Sequence, residues 1–344
     1  MDKFATRFEK DADYGVVFSG GGAFGAWEVG AYAAIREWHG KDPVVVSGAS
    51  AGALNAAAIF AGKDVNALKK IWIGLKNRAV YKKKFGLIIK LYFFVVLLPI
   101  LLLLKAIRIP ALKWSIRFLN NSISVLNNVP LRKKIEEVLA KAEDQLKKPP
   151  MNLAVTLSDI AGVAPVRVAY YCAMDSQFSP GNSSTKKWMQ IADKGNLVDA
   201  LMCTSAIPMA FPPQIVAPFT EPMVDGGVLR NDPLYPMLEP KFGTSNIYMV
   251  MASVVENGSA NGVIDILESM MNSFLSVSFH SQLDLLDILN IGSAPEDGEP
   301  IYNVCIIRPE KNLGISFNTT ILSFGGKKAI ALIDDGYKQA KKMF

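Results

Sequence analysis

The sequence predicts an α/β protein whose central sheet is largely parallel and covered on both faces. Three observations predict it. Short, continuous apolar runs of strand length recur along the chain, including "PVVVSG" at 43–48, "NIYMVMAS" at 246–253 and "IYNVCIIRP" at 301–309. Helical stretches stand between them, as at 26–39 and 263–289. Half of the 344 residues are apolar, which supplies a sizeable core. Apolar strands alternating with helices are what crossover-connected parallel sheets require.

In chain order, "YGVVFSGGG" (14–22) is a short strand ending in glycines, and "AWEVGAYAAIREWH" (26–39) is a helix whose last residue, His39, lies on a surface-like end. "PVVVSG" is the second strand, followed by a helix of small residues over 51–61 that packs close to it, and by another helix over 63–76. "LRKKIEEVLAKAEDQL" (131–146) reads as one amphipathic helix ended by Pro149 and Pro150. Strands follow at 152–159 and 165–174, and a helix at 196–208 is stopped by Pro208. The strands at 246–253 and 301–309 bracket a long helix over 263–289, and a last helix closes the chain. There is no internal repeat and no low-complexity linker. The chain therefore reads as one catalytic-size domain over 1–344, interrupted by an insert at 78–127 where the composition changes sharply.

Charge marks that insert. Between residues 65 and 135 there is no Asp or Glu, yet fifteen Lys and Arg occur. The rest of the chain carries 22 basic and 31 acidic residues, a net of −9 against +6 for the whole. A basic insert on an acidic body calls for a polyanionic partner, an anionic membrane surface or a nucleic acid. Within it, "FGLIIKLYFFVVLLPILLLLKAIRIP" (85–110) is charged only at Lys90 from Leu87 to Leu104. By length this is a membrane span, a buried helix or an interfacial segment. Basic residues flank it on both sides, which places both ends on the cytoplasmic face. A second apolar run for a return crossing is missing. The segment is expected to enter or lie on one leaflet, with Leu91, Phe93, Phe94, Leu97, Leu98 and Leu101 in contact with lipid. The next stretch places Ile109, Leu112, Ile116, Leu119, Ile123 and Leu126 on one helical face, with Trp114 and Phe118 as interfacial anchors. Nucleic-acid binders have little use for such an apolar run, so no nucleic-acid partner is expected. The competing reading is a lid over the protein's own core.

Cys172, Cys203 and Cys305 are widely spaced and form no CxxC pair, so they read as reduced core thiols rather than a disulfide or zinc framework. The N-terminus is charged and lacks an apolar secretory core, and a cytoplasmic setting with peripheral or monotopic membrane association is expected. No His, Cys or acidic cluster has ligand spacing, so no metal and no cofactor are expected.

Two short stretches carry chemistry. In "VVVSGASAGALN" (44–55) a strand becomes a helix through Gly48-Ala-Ser50-Ala-Gly52. This G-x-S-x-G pattern bends the backbone sharply and lifts Ser50 above the sheet beside a helix N-terminus, as a nucleophile needs. Taken alone it also fits a chance turn. Upstream, Gly20, Gly21 and Gly22 precede a helix and bare backbone N–H groups for a phosphate or an oxyanion. The dinucleotide reading fails because no acidic residue closes the next strand. A base for Ser50 is harder to find. His39 and His280 are the only histidines, and neither is placed to serve it. Asp225, in "MVDGGVLRNDP" (223–233), follows a short apolar run and precedes two glycines. It is either an ordinary Asx turn or a buried carboxylate whose raised pKa suits a base.

Together, "SGGGAFGAWEVGA", "GASAGALNA" and "DGGVLRNDP" resemble the patatin-like phospholipase family, and "TSAIPMAFPP" (204–213) resembles the run before its last motif. The likeness covers about 14–62 and 150–343 and leaves the insert out. It implies a three-layer α/β/α sandwich and a Ser–Asp dyad without histidine. In that dyad Ser50 attacks an ester carbonyl and Asp225 takes its proton. The N–H groups of Gly20, Gly21 and Gly22 hold the oxyanion, and Gly25, Gly48, Gly52, Gly226 and Gly227 shape the motifs. The implied activity is a phospholipase A or lysophospholipase acting on membrane lipid. The family's glycine motif carries Arg or Lys where this chain has Phe24. That departure removes a positive charge near the site, bears on rate and headgroup preference, and leaves the backbone amides untouched. It also motivates a non-catalytic lipid-binding scaffold as the rival reading. An esterase on soluble substrates, with the insert as lid, is the third.

Overall fold

The computed structural model describes residues 8–83, 124, 126–149, 151–159, 167–174, 186–208, 210–239, 244–252, 302–310, 313 and 322–344. The run after Tyr14 forms β1 (Gly15–Phe18), buried throughout. Its glycine-rich end passes through a 3-10 turn at Gly22–Phe24 into α1 (Gly25–His39). β2 (Val45–Ala49) lies parallel to β1 and runs without a loop into α2 (Ser50–Phe60). The alanines of α2 bring its backbone close to the sheet, and Ala53, Ala56 and Ala57 are fully buried. α3 (Val65–Gly74) starts at Asp64, whose carboxylate accepts the Ala67 N–H at 2.7 Å. After α4 (Asn77–Val80), β3 (Lys82–Lys83) pairs antiparallel with β4 (Leu126–Asn127), so the chain leaves and returns side by side around residues 84–125.

Next come α5 (Val129–Val138), α6 (Ala142–Lys147), β5 (Asn152–Asp159), β6 (Arg167–Ala173) and β7 (Lys186–Gln190). They are followed by α7 (Lys194–Thr204), β8 (Val224–Asp225), β9 (Asn246–Val250), β10 (Asn303–Ile307) and α8 (Gly326–Lys341). The main sheet runs β10-β9-β1-β2-β5-β6-β7, with β8 also paired to β5. From β10 to β5 every pairing is parallel. β6 turns antiparallel to β5, and β7 follows β6. The expected mainly parallel α/β sheet is therefore present.

Side chains alternate across this sheet. Val16, Phe18, Val46, Leu153 and Val155 share one core with α1, α2, α7 and α8. Val17, Val45, Ala154 and Ile247 face the other way and meet Leu234 together with Met237 and Leu238 of the 3-10 turn that follows it, Tyr235–Leu238. The helix expected over 263–289, with His280, lies outside the described residues, as do the membrane-contact positions from Leu91 to Phe118. Among the described residues no helix is long and apolar enough to cross a membrane.

Several local expectations differ from the structure. The single helix expected over 131–146 is two, α5 and α6. The Ala142 N–H bonds the Leu139 carbonyl at 2.9 Å, and this tightened turn lets both residues bury their side chains. α7 ends at Thr204, four residues before Pro208, and beyond it the Ala206 carbonyl accepts the Asp225 N–H at 3.1 Å. β7 begins with two lysines and ends in glutamine, so no apolar run announced it. His39 is not on the surface: it is 5 % exposed, stacks on Tyr14 at 4.0 Å, and pairs with the Lys10 carbonyl and the Tyr248 hydroxyl. Burial pushes its pKa down. It ends α1, about 20 Å along the helix from the glycine-rich turn, and it serves the core. All three cysteines are free and buried, as their spacing implied.

Candidate active site

The elbow is built from backbone that only glycine and one strained serine satisfy. Ser50 has φ +51°, and it is the one non-glycine residue with positive φ among those described. Such a conformation costs about 1–3 kcal/mol and persists only where neighbours hold it. A Cβ on Gly52 would run into the carbonyls of Phe18 and Ser19, and one on Gly48 would lie 2.5 Å from the Ala53 nitrogen. The turn is thereby pressed onto the end of β1. Ser50 is 6 % exposed at the first turn of α2, where the helix dipole is positive. Its N–H donates to Thr204 Oγ1 at 2.9 Å, and Thr204 Oγ1 donates to the Thr156 carbonyl at 2.5 Å.

Asp225 ends β8 opposite Leu157 of β5 and is 5 % exposed. Oδ1 accepts the Gly227 N–H at 2.8 Å, so the Asx turn exists. Oδ2 is buried without a hydrogen-bond partner. Burial raises the Asp225 pKa to about 7, while first the Ser50 hydroxyl and then the Gly227 N–H pull it back down. The serine hydroxyl thus lies near this carboxylate, with no hydrogen bond closed to Oδ2. Gly226 lies against the Thr156 carbonyl, and Gly227 between Asp225 Oδ1 and Asn231 Oδ1, with no room for a Cβ at either position.

The glycine-rich loop is pinned to the same segment. The Gly20 N–H donates to the Asn231 carbonyl at 3.0 Å, and Asn231 Nδ2 donates to the Gly20 carbonyl at 3.2 Å. Gly20 is therefore not free to bind an oxyanion, unlike Gly21 and Gly22, whose N–H groups meet no acceptor among the described residues. A Cβ on Gly20 would lie 3.1 Å from Ser50 Cβ, so the loop and the elbow are in contact. Gly25 stands against the Trp72 ring. Phe24 is buried, and Lys328 of α8 places its ammonium 5.2 Å from the centre of that ring.

From Gly22 and Ser50 an apolar cleft runs between α2, α3 and α5, lined by Leu54, Ala58, Leu68, Trp72, Ile135 and Leu139. Behind it, Asn55 Nδ2 donates to the Gly25 carbonyl and to Glu28 Oε2, both at 2.9 Å, and Asn55 Oδ1 accepts from Trp72 Nε1 at 2.7 Å. Glu28 is fully buried and its pKa is raised, chiefly by desolvation and further by Asp232. Asp232 is 1 % exposed, and burial raises its pKa to about 7. Among the described residues no group of three His, Cys, Asp or Glu side chains is placed to hold a metal ion.

Ser50, Asp225, Gly20, Gly21 and Gly22 thus come together from three separate stretches. The membrane-contact positions lie outside the described residues. Thr204, Asn231, Asn55 and Asp232 were not singled out by the sequence. All four sit inside stretches already notable for their motifs, and that was the only signal.

The sequence profile described as "Patatin-like phospholipase" matches residues 16–238, well over half of the chain. Curated protein sequences give no match. Among solved structures, VipD from Legionella pneumophila is 16 % identical with a TM-score of 0.43, over 98 % of this chain and 67 % of that one. The type III effector protein ExoU is 14 % identical with a TM-score of 0.39, over 97 % of this chain. The match takes in 52 % of ExoU, about half its length.

Proposed function

The chain belongs to the patatin-like phospholipase family, and on that premise we propose that it is a lipid acyl hydrolase working through Ser50 and Asp225. The observation that carries this reading is a serine at φ +51°, beside a buried carboxylate, at the mouth of an apolar cleft. In the proposed reaction Ser50 Oγ attacks the ester carbonyl carbon as Asp225 Oδ2 takes its proton. The carbonyl oxygen becomes an oxyanion held by the Gly21 and Gly22 N–H groups. Collapse expels the alcohol, which takes the proton back from Asp225, and leaves an acyl-serine. Asp225 then draws a proton from water, whose oxygen attacks the acyl carbon. The fatty acid leaves, and Ser50 regains its proton.

The substrates proposed are phospholipids and lysophospholipids, their acyl chain in the apolar cleft. The domain plan is one catalytic unit over 1–344 with 78–127 as a docking insert. The β3–β4 pair at the insert's base supports that plan, since it sets the insert off from the sheet. Anionic leaflets are the proposed partner surface. Release of fatty acid from phospholipid vesicles tests the reading. Ser50→Ala and Asp225→Asn are expected to lose activity by at least about 1000-fold, a loss in the range reported for removing a nucleophile or its base. Equal activity in all three proteins rules the dyad out.

A further inference from the structure

We propose that Thr204 is a positioning residue, its hydroxyl holding Ser50 in the strained conformation that presents the nucleophile to Asp225. The proposal rests on the reading of Ser50 given above. Ser50 opens α2, so its N–H has no partner within the helix, and no side chain at Ala49 caps it. The partner comes instead from the last residue of α7, at 2.9 Å. The direction of that bond is fixed. The single Thr204 hydroxyl proton points to the Thr156 carbonyl at 2.5 Å, which leaves the lone pairs for the Ser50 N–H. Thr204 is fully buried, so water does not replace it.

The same hydroxyl lies at the junction of all the reacting segments. It is bonded to the elbow and to β5, and a Cβ on Gly226, next to Asp225, would lie 3.1 Å from it. A β-branched side chain is stiff at χ1, which suits a group that must fix a distance. With its N–H spent on Thr204, Ser50 contributes no amide to the oxyanion, and that task falls to Gly21 and Gly22. Without the hydroxyl, the buried Ser50 N–H loses its acceptor and the positive-φ conformation loses its tie. The Ser50 side chain then swings away from Asp225.

The test compares wild type, Thr204→Val, Thr204→Ala and Thr204→Ser, each checked for folding by its Tm. Three quantities are measured: kcat and KM on a short, soluble ester, and the rate at which a fluorophosphonate labels Ser50. Thr204→Val keeps the shape and removes the bond. It is expected to lower kcat and the labelling rate together by about 10- to 100-fold, the cost of misplacing a reacting group by about an ångström, with KM unchanged. Thr204→Ser restores the hydroxyl and is expected to recover most of both rates. A merely structural role would move Tm but not this split between kcat and KM. Labelling of Thr204→Val at the wild-type rate overturns the proposal. If the valine variant does not fold, the other pair decides, and equal kcat in Thr204→Ser and Thr204→Ala overturns it. Full activity in Ser50→Ala instead overturns the nucleophile reading and this proposal with it.

Discussion

At the scale of single residues, the site is organised around acids whose pKa burial raises. Asp225 has its pKa raised to about 7 by burial, against the pull of Ser50 and Gly227. As the proposed base it works only when ionised. The expected kcat/KM on a short ester therefore rises with pH through about 7 and then levels, and a flat profile across that point would remove Asp225 from the role. Asp232 has no such task, and its Oδ1 has no hydrogen-bond partner. Its folded pKa of about 7 lies above the ordinary 3.8. The folded state thus holds the proton to higher pH than the unfolded chain, and stability falls as pH rises from about 4 to about 7. Charging it in place costs roughly 4 kcal/mol. Asp232→Asn is expected to melt higher than wild type at pH 8 and equally near pH 4. A lower Tm at pH 8 would show that the ionised carboxylate is stabilised there. Ser50 was legible because G-x-S-x-G is a pattern with a geometric reason. Thr204, Asn231 and Asp232 were not, because a lone polar residue has no spacing to betray which backbone group it meets.

At the scale of elements, α2 carries both the proposed nucleophile and one wall of the cleft. Ser50, Ala51, Leu54, Asn55 and Ala58 all line it, a stripe of eight residues' rise, or about 12 Å along the helix. Ala58 marks the far end of that stripe. Ala58→Leu is expected to shorten the cleft and lower the ratio of long-chain to short-chain kcat/KM by about 10-fold or more, since a single methylene in an apolar pocket changes discrimination by that order. Esters of increasing chain length check this, and an unchanged ratio would place the acyl chain elsewhere. The elements themselves were mostly legible. β1, β2, β5, β9, β10, α1, α2, α3 and α8 fall where apolar runs and helical periods put them. The failures share a cause: tertiary packing, not the local pattern, decides them. α5 and α6 part at a turn that buries Leu139 and Ala142. β8 has only two residues and exists because β5 lies beside it. His39 looked peripheral because a helix end is usually exposed, whereas here Tyr14 and Tyr248 enclose it.

At the scale of the whole molecule, the charge is divided. Residues 84–125 contain six Lys and Arg and no acid, while the chain outside the 65–135 window is net negative. An anionic leaflet attracts juxtamembrane basic residues with about 1 kcal/mol each, and salt weakens that attraction. The same surface repels an acidic body, so the proposed docking has the insert toward lipid. The fold permits a direct test, because Lys83 pairs with Leu126 across an antiparallel ladder. Replacing 84–125 by Asn-Gly closes that ladder as a hairpin, the turn such strands favour. Its base packs where Leu126, Ala210 and Phe211 form a small core, which the replacement leaves in place. The shortened protein is expected to bind anionic vesicles at least about 100-fold more weakly than the full chain, given six lost basic residues. Its kcat/KM on a short soluble ester should fall far less. Raising the salt should weaken binding of the full chain and leave the shortened one nearly unaffected. A second variant, with Gln at Lys84, Lys90, Lys105, Arg108, Lys113 and Arg117, separates charge from apolar contact. Strong vesicle binding by that variant would make lipid contact, not charge, the anchor. Undiminished binding by the shortened protein would move the docking surface to the body of the fold.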